Sequence, residues 1–153
     1  MSLRTVIEDQ YKEAIKSKNT NEINTLRLIK SAIKDKDIAS RSNNKNNQIS
    51  EEEILSLLQS LVKQRRDSIE SFKVASRQDL IIIEEAEIEI ISNFLPKQLS
   101  ESEIEVLISK IIETNNFESL KDMGKLMNEL KTNHSGGIDM ALAGKIAKLK
   151  LSK

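Results

Sequence analysis

The sequence predicts an all-α protein: an N-terminal helical hairpin or bundle of about four helices, then a compact unit of three. Charged residues make up 31% of the 153-residue chain and aromatics only 3%, whereas β-proteins lean on aromatic and β-branched residues. Four Gly and one Pro leave long stretches without a helix breaker. Apolar residues recur at steps of three and four, the spacing that gathers them on one face of a helix.

Leu3, Val6, Ile7, Tyr11, Ala14 and Ile15 form the first stripe, on a helix that ends near Lys18. A second helix starts around Thr20 and carries Ile23, Leu26, Ile29 and Ile33. It fades into the Asn-rich stretch 40–47, whose composition cannot pack and predicts a mobile loop. Ser50 and Glu53 then form a capping-box pattern, in which hydroxyl and carboxylate each satisfy an open backbone N–H. The long helix that follows carries Ile54, Leu58, Leu61, Val62, Ile69 and Phe72, with Arg65 inside the same stripe. It gives way between Ser76 and Asp79, where Asp79 is placed to cap the next helix.

Leu80–Leu95 carries two conflicting signals. Glu85-Ala86-Glu87-Ile88-Glu89-Ile90 alternates with period two, as a strand does. The run nevertheless continues for about four turns without Gly or Pro, and no second strand offers itself as a partner. The expectation is a helix, stopped by Pro96. Ser100 and Glu103 repeat the capping box, with Leu99 and Ile104 at the staple positions. This helix carries Ile104, Leu107, Ile108, Ile111 and Ile112 and breaks at Asn115-Asn116. Two short helices follow, marked by Met123, Leu126, Met127 and Leu130 and by Leu142, Ile146 and Leu149, with His134-Ser135-Gly136-Gly137 between them. Pro96-Lys97-Gln98 is the expected boundary between a domain 1–95 and a domain 96–153.

Basic and acidic residues balance at 24 each, without the basic excess of a strong nucleic-acid binder. The balance is uneven along the chain: from Phe117 to Lys153 seven Lys face four acids, a net +3. The absence of Cys excludes disulfides, thiolate nucleophiles and Cys-bound zinc. Apolar runs such as Leu80–Ile83 fall far short of a membrane span, and the first residues lack the apolar core of a signal peptide. A cytoplasmic protein with no membrane contact is expected.

Catalytic chemistry finds little support. Glu51-Glu52-Glu53 is acidic enough to suggest a hard cation, but acids in the first turn of a helix are favoured by its dipole alone; no metal and no cofactor are expected. The other acids fall mostly on polar faces, where nothing shifts their pKa values toward acid–base work. His134 is the only imidazole, and no Gly-x-Ser-x-Gly elbow presents a serine to it. It reads as a loop residue or as a contact for an anionic partner. Ser135-Gly136-Gly137 before a helix has the look of a phosphate cradle, or of a structural turn, since Asp139 is placed to compete for the same N–H groups. Neither a P-loop nor a dinucleotide fingerprint is present.

Lys63-Gln64-Arg65-Arg66-Asp67 is a richer cluster. Arg65, on the apolar stripe, is costly to bury unpaired, which calls for a carboxylate on a facing helix: Glu85, Glu87 or Glu89. The alternative is that this cluster, Lys63, Arg65 and Arg66, contacts RNA phosphate or a partner protein. Lys121 and Lys125, four apart, share one helix face, and Lys145 and Lys148 share another. If the two faces converge they form a basic patch suited to backbone phosphates; if not, they are solvated surfaces.

Several segments, in order along nearly the whole chain, resemble the YqeY family. Leu26–Lys34 is similar to its second-helix motif, Lys63–Ile69 with Ala75–Leu80 to its central stretch, Phe94–Ser100 to its inter-domain signature and Asp122–Met127 to its C-terminal one. The resemblance implies a two-domain helical protein. Its C-terminal unit is related to the tail of the GatB component of the tRNA-dependent Asp/Glu amidotransferase, which recognises tRNA while amide chemistry occurs elsewhere. It further implies that Lys121, Lys125 and the loop His134–Gly137 lie near RNA, with tRNA and an amidotransferase or aminoacyl-tRNA synthetase as partners. Gly137 departs from relatives that carry Arg there. The family's shared label is a carbon–nitrogen ligase with glutamine as amido-nitrogen donor, yet this chain supplies neither the glutaminase nucleophile nor the ATP site of such a reaction. Three readings follow: a tRNA-binding accessory without catalysis of its own, a helical protein–protein adaptor with no RNA contact, and an enzyme component active only in complex.

Overall fold

The computed structural model describes residues 2–41 and 48–152. Among them every regular element is helical: seven α-helices and one 3-10 turn. Most of the Asn-rich stretch expected as a loop lies outside the described residues. The chain divides into two compact units, Met1–Leu95 and Pro96–Lys153, each with its own buried apolar cluster.

In the N-terminal unit, α1 (Leu3–Ser17) starts at Ser2, whose hydroxyl accepts the Thr5 N–H. It stops at Lys18 in the left-handed region (φ 57°), and Asn19 at once caps α2 (Thr20–Ser40). So short a link forces α1 and α2 into an antiparallel hairpin. The predicted Ser50–Glu53 capping box is present at the start of α3 (Glu51–Val74). After a tight turn with Ser76 at φ 55°, α4 (Gln78–Ser92) packs back along α3.

The conflicting segment is therefore helical. Ile81, Ile88 and Ile91 turn inward at steps of seven and three residues, a spacing that a helix satisfies and a strand does not. Asp79 is not the cap expected of it. Arg77 occupies that position, and the Asp79 carboxylate takes its guanidinium at 3.0 Å instead. The core gathers Ile7 and Ala14 of α1, Leu26, Ile29 and Ile33 of α2, Ile54, Leu58, Leu61 and Val62 of α3 and Ile91 of α4. Ile15, placed on the first stripe by spacing, lies exposed.

One polar tie fixes how α1 meets the rest of this unit. Arg4 donates to both Asp37 oxygens at 2.7 and 2.9 Å, and the same carboxylate accepts the Ile49 N–H at 2.8 Å. The Arg4 hydrogen bond holds the Asp37 carboxyl below its ordinary range. A lowered pKa in the folded state stabilises the fold above the ordinary carboxylate range, and that stability is lost as pH falls through the lowered value. Asp37→Asn is expected to cost about 1–2 kcal/mol at neutral pH, with the gap to the parent closing in acid. Urea unfolding across pH 7 to 2 measures it.

In the C-terminal unit, α5 (Glu101–Asn115) opens on the predicted Ser100–Glu103 box and ends at Asn116 in the left-handed region (φ 55°). The 3-10 turn Leu120–Asp122 leads into α6 (Met123–Asn133), and a loop connects to α7 (Met140–Leu151). Ile104, Ile108, Ile111, Leu126, Leu130, Ile138, Ala143, Ala147 and Leu151 form its core. Of the expected stripe of α7, Leu142 and Ile146 pack half-buried against this core. Leu149 is 70% exposed, and the buried row runs through Ala143 and Ala147.

Candidate nucleic-acid interface

The lysines singled out by sequence lie on elements that pack as neighbours, since α7 touches both α6 and the 3-10 turn. Lys121 is on that turn rather than on the helix expected to carry it together with Lys125, which occupies the first turn of α6. Lys145 and Lys148 are on α7, and all four side chains are exposed. None makes an ion pair among the described residues.

Three of the four acids of the same stretch are engaged in the fold, while Glu118 is exposed. Asp122 accepts the N–H groups of Glu118 and Ser119 at 2.9 and 3.4 Å, which hold its carboxyl low. Asp139 caps α7 by accepting from Ala141 and Leu142, at 3.0 and 3.2 Å. Glu129 takes the Asn115 amide at 3.3 Å. A capping carboxylate keeps its charge, and the nearby Lys125 ammonium helps to hold Asp122 low; the four lysines are exposed but have acids near them. Both lowered carboxyls here, Asp122 and the capping Glu103, are shifted away from the raised pKa that a general acid needs.

The loop between α6 and α7 is built as a turn. His134 ends α6, half-buried, and its carbonyl accepts the Gly137 N–H at 3.1 Å. Gly136 has φ 78°, which a side chain would strain. Gly137 is buried, and its carbonyl accepts the Leu99 N–H at 2.8 Å. A Cβ there would stand 3.2 Å from the Lys97 carbonyl oxygen, so the bare backbone of Gly137 is a close-packing requirement. With Asp139 on the first N–H groups of α7, the loop does not present the open donors of a phosphate cradle.

Arg65 finds one of its three candidate partners. Its Nε donates to Glu87 at 2.7 Å and its Nη1 to the Leu61 carbonyl at 3.0 Å. Lys63 and Arg66 point outward on exposed positions of α3. The run Glu51–Glu53 fills the first turn of α3, where Glu53 completes the cap and Glu51 accepts the Leu3 N–H at 2.7 Å. Among the described residues no group of His, Asp and Glu is arranged to hold a metal.

A second basic cluster escapes a reading of the sequence alone: Arg27, Lys30 and Lys34, beside Tyr11 of α1. Their spacing of three and four residues is the one signal of it along the chain. What they face, however, depends on how α1 and α2 pair.

The profile of the family described as Yqey-like protein matches residues 4–151. Three fungal proteins, each named Altered inheritance of mitochondria protein 41, mitochondrial, are also similar. That of Lachancea thermotolerans is 34% identical over 78% of this chain and 65% of its own length. That of Pyrenophora tritici-repentis is 28% identical over 82% and 69%, and one from Saccharomyces cerevisiae is 28% identical over 67% and 53%. The chain thus spans about half to two thirds of the length of these relatives. They are named as mitochondrial proteins, where the sequence alone suggests cytoplasm. Among the described residues no helix is long and apolar enough to cross a membrane. With a match that runs through both units, this chain belongs to the YqeY-like family.

Proposed function

We propose that the protein is a tRNA-binding accessory without catalysis of its own, serving a tRNA-dependent amidotransferase or aminoacyl-tRNA metabolism. The observation that carries this reading is the set of four exposed lysines, Lys121, Lys125, Lys145 and Lys148, on three packed elements, none of them in an ion pair among the described residues. Exposed ammonium groups attract backbone phosphates, and counterions are released on binding. The likeness of this unit to a tRNA-recognising tail points the same way, and His134 stands in the adjoining loop.

Purified protein titrated against bulk tRNA at low salt tests this. Lys121→Glu/Lys125→Glu is expected to weaken binding about tenfold or more. Lys12→Glu/Lys16→Glu, an equal charge change on exposed positions of α1, is the control. Equal affinities for the two variants would contradict the proposed surface.

The adaptor reading has its own observation. Val74 is 90% exposed at the end of α3, and Ile82 and Ile83 lie exposed near the start of α4. Apolar side chains in water at one hairpin end suit a protein partner. Capture through them resists salt, whereas phosphate contacts do not.

A further inference from the structure

Between them α1 and α2 leave a groove of about 370 Å³. Ile7 and Ile33 contribute apolar surface to it, and its charged lining is four cations, Arg4, Arg27, Lys30 and Lys34, against Glu8 and Asp37. Both acids are engaged: Asp37 by Arg4 and the Ile49 N–H, Glu8 by Lys30 at 3.0 Å. Arg27 and Lys34 remain, exposed and with no carboxylate in ion-pair reach among the described residues. Lys30 stands between them, its ammonium 4.1 Å above the Tyr11 ring centroid. The Tyr11 hydroxyl lies 3.4 Å from the Arg27 guanidinium, so one ring positions two of the three cations.

Arg27, Lys30 and Lys34 form a column along α2 that rises about 10 Å from first to last. One phosphate is too small to span it. A strand that bears a phosphate at every nucleotide matches a row of cations, each contact adding to affinity and to salt dependence.

We propose that this groove is a second phosphate-binding surface, which takes phosphates of an RNA strand on Arg27 and Lys34, with Lys30, paired to Glu8, between them. The ligand class rests on the RNA reading above, but the site uses no lysine of the C-terminal unit.

The test uses the full chain and labelled bulk tRNA across a salt series, with Arg27→Glu/Lys34→Glu, Lys121→Glu/Lys125→Glu and the control Lys12→Glu/Lys16→Glu side by side. Arg27→Glu/Lys34→Glu is expected to bind about tenfold more weakly than the control and to lower the salt slope by about 1–2. Both residues are exposed, so the helical circular-dichroism signal should match the parent. Arg27→Gln/Lys34→Gln should reproduce the loss without added negative charge. Loss in Lys121→Glu/Lys125→Glu with Arg27→Glu/Lys34→Glu equal to the control would overturn the groove and leave the proposed function standing. The reverse pattern upholds the groove and removes the C-terminal surface. Inorganic tripolyphosphate that displaces tRNA as well as a short oligoribonucleotide, at equal phosphate concentration, would overturn the strand assignment in favour of a small ligand.

Discussion

Replacing Ile108 by alanine is expected to destabilise the C-terminal unit severely. Ile108 has no exposed surface and sits in the middle of α5, within a cluster of nine buried residues. Removing three carbons from such a site costs about 3–4 kcal/mol, the transfer term plus the cavity left behind. A unit this small buries a lower fraction of its surface than a large domain does, and its total stability is on the order of 3–9 kcal/mol. The substitution therefore removes from about a third to all of the margin. Hydrogen exchange should show amides of α5, α6 and α7 losing protection while those of α1 to α4 keep it, because the two cores share no residue. Val106→Ala, on an exposed position of the same helix, should change stability by less than about 0.5 kcal/mol. Comparable effects from both would mean that the described core is not where this unit's stability resides.

The second large effect is expected at Glu87. The Arg65 side chain is only 12% exposed, and its guanidinium depends on Glu87, itself 30% exposed, and on one backbone carbonyl. Breaking a fully buried pair from one side costs about 3–5 kcal/mol, and water reaching Glu87 reduces this, so Glu87→Ala should cost about 2 kcal/mol. Replacing both partners, Arg65→Met with Glu87→Leu, should recover most of the loss, since the penalty comes from stranding a charge rather than from losing an attraction. Thermal unfolding of the two single variants and the double variant resolves the cycle. If Glu87→Ala leaves stability unchanged, Arg65 is not held by the fold and becomes available to a partner, as in the alternative reading of Lys63, Arg65 and Arg66.

Local signals locate the helix starts almost to the residue, because a cap is a contact between groups three positions apart. Ser50 with Glu53 and Ser100 with Glu103 need no knowledge of the rest of the chain. The α4 segment is legible through what it lacks, a breaker and a partner strand. Tertiary closeness is not legible. Large residues draw the predicted face of α7 toward Leu142, Ile146 and Leu149. The helix buries Ala143 and Ala147 most fully, with Leu142 and Ile146 packed half-buried beside them and Leu149 exposed.

Asp79 fails as a cap for a related reason. Any Asp before a helix can serve, but Arg77 two residues earlier takes both the position and the carboxylate. In the candidate interface, the capping role of Asp139 can be read from its place in the sequence. The packing of Gly137 against the Lys97 carbonyl cannot, since those residues meet only in the folded unit. The α1–α2 groove is likewise a product of pairing: Tyr11 gives no hint in sequence that it will stand beside Arg27 and Lys30.

Whether this protein grips RNA through its exposed cations is tested most directly by a salt titration of the unmodified chain against bulk tRNA. If the four C-terminal lysines each displace a counterion, log affinity should fall against log salt with a slope of about −3 or steeper, with clear binding at low salt. A flat dependence, or no binding even at low salt, would contradict the RNA reading and leave the exposed apolar end of the α3–α4 hairpin as the surface to pursue.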